Sequence, residues 1–304
     1  MIIRPTKDMV KGIKDIWRIC FPQENMAYTD FFFQKMFKPN ECWVYEIDDK
    51  PVSCLHKIPH AIMLNGRIIR TSMILGIATL PKFQNRGYMH KLMDVCLDSC
   101  EHTELVTLIQ AYDPKLYEEF GFKTVYYRQV YEFTKDNLDK ISVHGCLFNP
   151  RVNEMFKVYC SFVKRFNGFY VRDFSDFRRY IQEVKAQNGK ICAYYDENNT
   201  ILGYIVLIND GIKVNVEECI YMNSKALLKL LAIALQQRDI VRLHVSAAEN
   251  LSWIFKDVTP TRYGFTMARV NDYDLFNRLY QSSVASVEEA FALGNKPLYM
   301  SECS

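Results

Sequence analysis

The chain has 304 residues, 49% of them apolar, and a formal charge of +3 from 38 basic and 35 acidic side chains. That length and apolar share can bury one large core or two ordinary ones, and two domains are the expectation. The charge is too small to imply nucleic acid, the apolar runs are far shorter than a bilayer span, and ten cysteines show no paired Cys-x-x-Cys pattern of a metal site.

Ile2-Ile3-Arg4 reads as a short opening strand with no secretory leader before it, so a cytoplasmic protein with reduced thiols is expected. Thr6 is the expected cap of a helix that carries Ile13, Ile16, Trp17, Ile19 and Cys20 on one face. Phe31, Phe32, Phe33, Met36 and Phe37 begin a second helix. Cys42 to Ile47 and Pro51 to Leu55 form a hairpin about Asp48-Asp49-Lys50. A second hairpin turns at Asn65-Gly66, a pair suited to a type I′ turn.

The next stretch carries the chemistry. Ile74-Leu75-Gly76-Ile77-Ala78-Thr79 is an apolar strand that breaks at Pro81, passes the polar loop Phe83-Gln84-Asn85-Arg86-Gly87, and enters a helix with Met89, Leu92, Met93, Cys96 and Leu97 on one face. Gly87 allows a close turn and leaves the first helical amides unpaired, an arrangement that attracts phosphate. Some thirty positions on, Asp113-Pro114-Lys115-Leu116-Tyr117-Glu118-Glu119-Phe120-Gly121-Phe122 follows a short apolar strand, Val106 to Ile109. Asp113 can cap a short helix, Pro114 suits its first position, and Gly121 its end. Phe122 to Phe133 is expected to close the sheet and the first domain.

These two segments resemble the GCN5-related N-acetyltransferases. The family's acyl-CoA signature, Gln/Arg-x-x-Gly-x-Gly/Ala, lies between its fourth strand and third helix. Gln84 and Gly87 match it, while Met89 stands where Gly or Ala is usual. A bulky residue there, with Arg86 before the glycine, is similar to the Eis-like (enhanced intracellular survival) branch. Tyr117, four residues before Gly121, matches the tyrosine of the family's short helix.

The resemblance implies that the amides of Ile77, Ala78 and Thr79 hold the pantetheine arm of acetyl-CoA. It implies also that Gln84, Asn85, Arg86, Gly87, Tyr88 and Met89 cradle its phosphates. A phenol is protonated at neutral pH and can donate to a leaving thiolate, so Tyr117 is the expected general acid. For the base, His56, His60 and Glu24 stand as candidates beside a water chain. In Eis-like enzymes the terminal carboxylate can serve, but Ser304 is expected to come too early in this sequence to reach the site.

From about residue 141 the pattern repeats: helices about Met155 to Phe162 and Phe174 to Ile181, a strand-turn-strand over 189–208, a strand about 212–219 and a helix from Ser224 to Gln236. Its strand-to-helix loop, Ile220-Tyr221-Met222-Asn223, lacks Gln/Arg-x-x-Gly. The implied fold class is α/β (α+β), with tandem mixed, largely antiparallel sheets flanked by helices. Residues 1–138 would be the catalytic domain and 139–270 a degenerate copy. Residues 271–304 would be a helix and tail in place of the family's sterol-carrier-like third domain.

The implied function is transfer of acetyl from acetyl-CoA to a primary amine of a small molecule or peptide, by direct attack in a ternary complex. No metal, nucleic acid or membrane partner is expected, and a homo-oligomer is left open. The alternative is a non-catalytic acyl-CoA-binding or regulatory protein that retains the fold.

Overall fold

A computed structural model describes residues 1–101, 103–138, 140–255 and 257–302. By internal contact the chain divides into Met1–Val125 with Thr266–Leu293, and Tyr126–Phe265 with Gly294–Glu302. Both units are discontinuous in sequence, whereas the expected division runs in consecutive pieces.

In chain order the first segment holds β1 (Ile2–Ile3), α1 (Val10–Cys20), α2 (Met26–Phe31), β2 (Cys42–Ile47), β3 (Lys50–Leu64), β4 (Arg67–Thr79), α3 (Tyr88–Glu101), β5 (Val106–Ile109) and α4 (Lys115–Glu118). β6 (Lys123–Phe133) crosses the division. Then come β7 (Cys146–Phe148), α5 (Val152–Val163), β8 (Phe169–Tyr170), α6 (Phe174–Ala186), β9 (Lys190–Tyr195), β10 (Ile201–Asn209), β11 (Lys213–Tyr221), α7 (Ser224–Leu235) and β12 (Ile240–Ser246). β13 (Thr261–Val270) crosses back, and α8 (Tyr273–Tyr280) and α9 (Val287–Ala292) follow.

Local chemistry accounts for most of these elements. Asn65 and Gly66 both take positive φ, 47° and 81°, and join two long strands that pair without a break from Thr71 opposite His60 to Arg67 opposite Leu64. Asn25 heads α2 by accepting the Ala27 amide, so this helix starts five residues earlier than its phenylalanines imply. Phe32–Met36 continues it as one wide turn. Thr6 makes no side-chain cap; it precedes a 3-10 turn, Lys7–Met9, that leads into α1. The buried face of α1 is Ile13, Ile16 and Trp17, while Ile19 lies exposed because it falls a quarter-turn outside that stripe.

The sheet of the first unit pairs β1, β2, β3 and β4 antiparallel in succession, then β4 with β5 parallel, then β5 with Met267–Val270 of β13 antiparallel. The parallel step is made by the crossover through α3. In the second unit β7, β9, β10 and β11 pair antiparallel in succession, β11 and β12 pair parallel across α7, and β12 pairs antiparallel with β6. The first unit thus takes its last strand, Met267–Val270, from beyond the second in sequence, whereas the second takes its last, β6, from its own first residues. Phe122–Phe133 therefore does not close the first domain: from Tyr126 onward this strand belongs to the second unit.

The core of the first unit gathers Trp43, Leu55, Ile74, Leu92, Met93, Cys96, Ile109, Phe122 and Met267 between sheet and α3. Two clusters fill the second unit, one beneath α7 and one beneath α5 and α6. Among the described residues, no helix is long and apolar enough to cross a membrane.

Candidate active site

β4 and β5 run together only from Thr71–Ile74 opposite Val106–Ile109. β4 continues to Thr79 alongside β3, so beyond Ile74 one edge of its backbone has left its neighbour. The cause is a bulge. Cys54 faces Ala78 and His56 faces Leu75, so Gly76 and Ile77 together oppose Leu55 alone. Gly76 makes this possible, with φ +59° and a Cβ direction only 2.0 Å from Trp17 Cζ2.

The loop that follows begins with a 3-10 turn, Pro81–Phe83, and bends through Asn85 at φ 61° and Gly87 at φ 74°. Nothing lies within 4 Å of the position a Gly87 Cβ would take, so the loop faces open space. Lys91 N to Gly87 O, 3.2 Å, is the opening bond of α3. The amides of Tyr88, Met89 and His90 precede it and are free of the helical ladder by its geometry. An anion set there meets the positive end of a fourteen-residue helix.

The side chains around the loop fasten it from outside. Gln84 Nε2 donates to Thr79 O at 3.1 Å, and Arg86 Nη2 to Lys82 O at 3.2 Å. Tyr88 stacks on Tyr45 with ring centres 4.1 Å apart. Met89 is half-buried and leans on the first-unit core, as do Ile77 and Tyr117. Its bulk is thus directed away from the loop, which accounts for a large residue at a position where Gly or Ala is usual.

Tyr117 stands on α4. Asp113 Oδ1 accepts the Lys115 amide at 3.1 Å, and Gly121 at φ +82° ends the turn. Burial, with a further push from the Asp113 carboxylate, raises the phenol to about 12. The expected site residues therefore lie at the end of β4, in the loop after it, at the start of α3 and on α4, all in the first unit, and Ile77, Met89 and Tyr117 pack against the same core.

The candidate bases fare differently. His56 is buried within a cage of Trp17, Phe32, Phe33 and Phe37, whose ring centres lie 5.1, 5.3, 6.0 and 5.6 Å away. Burial drives its pKa down to about 3, opposed by the nearby Gly76 backbone, so it stays neutral and sealed from solvent. It is a core residue, out of reach of any substrate amine, and does not serve as the base. His60 lies opposite Thr71, at the far end of the parallel run from the splay. Glu24 sits in the turn after α1, where partial desolvation of its carboxyl raises its pKa. Ser304 lies outside the described residues.

Two contributors carried a weak signal or none in the sequence. Gly76, a lone glycine within an apolar strand, is a recognised mark of a bulge. Ser53, fully buried on β3, touches the end of β4 and had no local signature.

In the second unit β11 and β12 part in the same way, after Val216 and Leu243. Only Met222 and Asn223 separate β11 from α7, and Asn223 Oδ1 accepts the Ala226 amide at 2.9 Å. The helix start is therefore already capped by its own chain. The space past the parallel run is lined by Arg128, Glu218, His244 and Glu249, with Tyr299 and Ser301 of the final segment. Glu218 is held by Arg172 at 2.9 Å, Tyr204 at 2.6 Å and Ser301 at 3.0 Å. Among the described residues no cluster of three His, Cys, Asp or Glu side chains could hold a metal ion.

Two family models match the chain, each described as an acetyltransferase (GNAT) domain, over residues 1–125 and 168–270. No curated protein sequence matches it. Among solved structures it is similar to a conserved Enterococcus faecalis protein described as a probable N-acyltransferase, with 14% identity and a TM-score of 0.74 over 89% of this chain and 72% of that one. A GCN5-related N-acetyltransferase from Kribbella flavida gives 12% identity and a TM-score of 0.72 over 89% and 70%. Eis1 from Mycobacterium abscessus gives 12% and 0.69 over 91% and 75%. At these identities the structural likeness speaks to the fold.

A splayed parallel pair lies beside the start of α3, and acetyltransferase models that together match more than half of the chain make it an N-acetyltransferase. The chain belongs to the GNAT family and carries two of its domains in tandem.

Proposed function

We propose that the first unit transfers acetyl from acetyl-CoA to a primary amine of a small molecule or peptide, and that the second binds no cofactor. The observation that carries this reading is the contrast between the two helix starts: that of α3 opens onto an empty loop at Gly87, and that of α7 is closed by Asn223. The tandem arrangement and the fold shared with Eis1 support placement in the Eis-like branch.

The residues present suit the co-substrate. The amides of Gly87 to Met89 would hold its diphosphate, and the open edge at Ile77, Ala78 and Thr79 would hold the pantetheine arm as a strand holds a neighbour. The thioester supplies an activated carbonyl. The amine lone pair attacks that carbon, the carbon–sulfur bond breaks, and the departing sulfur takes its proton from Tyr117. The phenol, at about 12, keeps that proton at neutral pH. The ammonium formed on the acceptor loses its extra proton to water, since His56 is sealed, and water returns a proton to the Tyr117 phenolate. Free cysteines at nine described positions fit a cytoplasmic protein.

Calorimetric titration with acetyl-CoA and with CoA tests the site, and a thiol-release screen over primary amines tests the reaction. One saturable equivalent per chain and release that depends on amine are expected. Absence of binding at high micromolar ligand would overturn the assignment.

A further inference from the structure

Two thiols meet at the edge of the second unit's sheet. Cys146 opens β7, the last strand of that sheet, and Cys192 lies on β9 beside it. Cys146 faces Tyr194, and Phe148 faces Cys192. Tyr195 N bonds Gly145 O at 2.8 Å and Asn149 N bonds Ile191 O at 3.0 Å, so Gly145 with Tyr195 and Asn149 with Ile191 are bonded pairs of this ladder. Cys146 and Cys192 therefore both fall at non-bonded positions, where side chains across the ladder come closest, and both pack into the core beneath α7. Their thiols hydrogen-bond each other along the diagonal.

The two sulfurs are not equivalent. Cys192 is buried, whereas Cys146 is partly exposed on a three-residue strand whose other edge has no partner strand among the described residues. Lys229 of α7 donates through Nζ to the carbonyls of Ser142 at 2.7 Å and His144 at 2.9 Å, and its own carbonyl lies 3.7 Å from Cys146 Sγ. The ammonium is thereby pinned to the chain just before Cys146, 5.3 Å from the ring centre of Tyr194. The bond from Cys192, helped by that ammonium and opposed by burial, holds the Cys146 thiol below its ordinary value, and the same bond pushes Cys192 up. Cys20 and Cys160, the other partly exposed thiols among the described residues, are both pushed up by burial. Cys96 and Cys100 also meet, on α3, but both are wholly buried.

We propose that Cys146 and Cys192 form a peroxide-oxidised dithiol site, at which Cys146 reacts and Cys192 resolves. The Cys146 sulfur attacks one oxygen of hydrogen peroxide, the O–O bond breaks, and the sulfur is oxidised to a sulfenic acid while the departing hydroxide leaves with the thiol proton as water. The Cys192 sulfur then attacks that sulfur, the S–O bond breaks, and hydroxide departs with the Cys192 proton as a second water. Two thiols and one peroxide thus become one disulfide and two waters. A diagonal pair is slightly wide for a bridge, so closure draws β7 toward β9, a shift open to a short strand at a sheet edge. The site is independent of the acetyl-transfer reading.

The test treats the full chain with hydrogen peroxide, caps the remaining thiols with iodoacetamide and measures the masses of tryptic peptides. The expected product joins the Cys146 and Cys192 peptides with loss of two hydrogens, leaves Cys20 and Cys160 alkylated, and is undone by dithiothreitol. In Cys192→Ser the bridge should be absent and Cys146 should take up dimedone, a reagent for sulfenic acids. In Cys146→Ser, Cys192 should stay reduced; this variant alters a partly exposed edge position, so it tests the order of reaction even where Cys192→Ser fails to fold. An unreacted Cys146, oxidation of Cys20 or Cys160 ahead of it, or a Cys146 that stops at the sulfenic acid in the native chain would overturn the proposal.

Discussion

At neutral pH the Tyr117 phenol holds its proton because burial and Asp113 both disfavour the phenolate. Tyr117→Phe removes that proton and little else, so turnover should fall about a hundredfold while acetyl-CoA affinity stays unchanged in calorimetry. An unaltered rate would assign the ring to packing. The raised pKa also has a sign: the acid form is complete below the ordinary phenol value and persists to about 12. Turnover in the native enzyme should therefore show no fall from phenol ionisation between pH 8 and 10.

His56 gives the opposite case. Its folded pKa of about 3 lies below the unfolded value near 6.5, so its contribution to stability is complete above pH 6.5 and is lost as pH falls toward 3. Between pH 7 and 5 the native chain should lose about 2 kcal/mol that a His56→Phe variant keeps, as read from urea midpoints at the two pH values.

At the scale of elements, the bulge in β4 is the feature on which the cleft depends. Gly76→Ala must place a methyl group against the Trp17 ring and hold alanine at φ +59°. Strain and overpacking together should cost about 3 kcal/mol, seen as a lower thermal midpoint. A variant as stable as the native chain would mean that β4 can straighten, and acetyl-CoA binding would then report whether the splay survived.

The sequence made some of these elements readable and hid others for a physical reason. The Asn65-Gly66 turn, the Gln84-x-x-Gly87 loop, the stop at Gly121 and the apolar face of α3 are written in residues a few positions apart, where backbone preference and side-chain periodicity act. The early start of α2 at Asn25 was within reach of the same reasoning. The contact of Gly76 with Trp17 and the hold of Ser53 on Ala78 join residues remote in sequence, which no local pattern reports. The cage around His56 is of that kind too: the residue type proposed chemistry, and four distant rings removed it.

At the scale of the whole molecule, the first parallel crossover was visible as a strand-helix-strand passage and the second only as a strand and its helix, while the absence of Gln/Arg-x-x-Gly in the second was legible directly. The discontinuity of the units was not, because strand partners separated by more than a hundred residues leave no periodic trace. If only the first unit binds cofactor, the full chain should titrate with one equivalent of acetyl-CoA, and Gly87→Glu should abolish all of it by placing a carboxylate where the diphosphate would lie. Residual saturable binding in that variant would reveal a second site.

The shared strands also bear on how the chain is made. β5 is buried along its whole length, and its outer edge is covered by Met267–Val270, more than 150 residues further along the chain. During vectorial synthesis, Val106–Ile109 emerges from the ribosome long before its cover exists, leaving an unpaired apolar strand edge open to other nascent chains. Completion of the first unit's sheet thus waits on translation of residues 126–270, and slowing synthesis after residue 125 would lengthen the interval in which the chain most needs a chaperone.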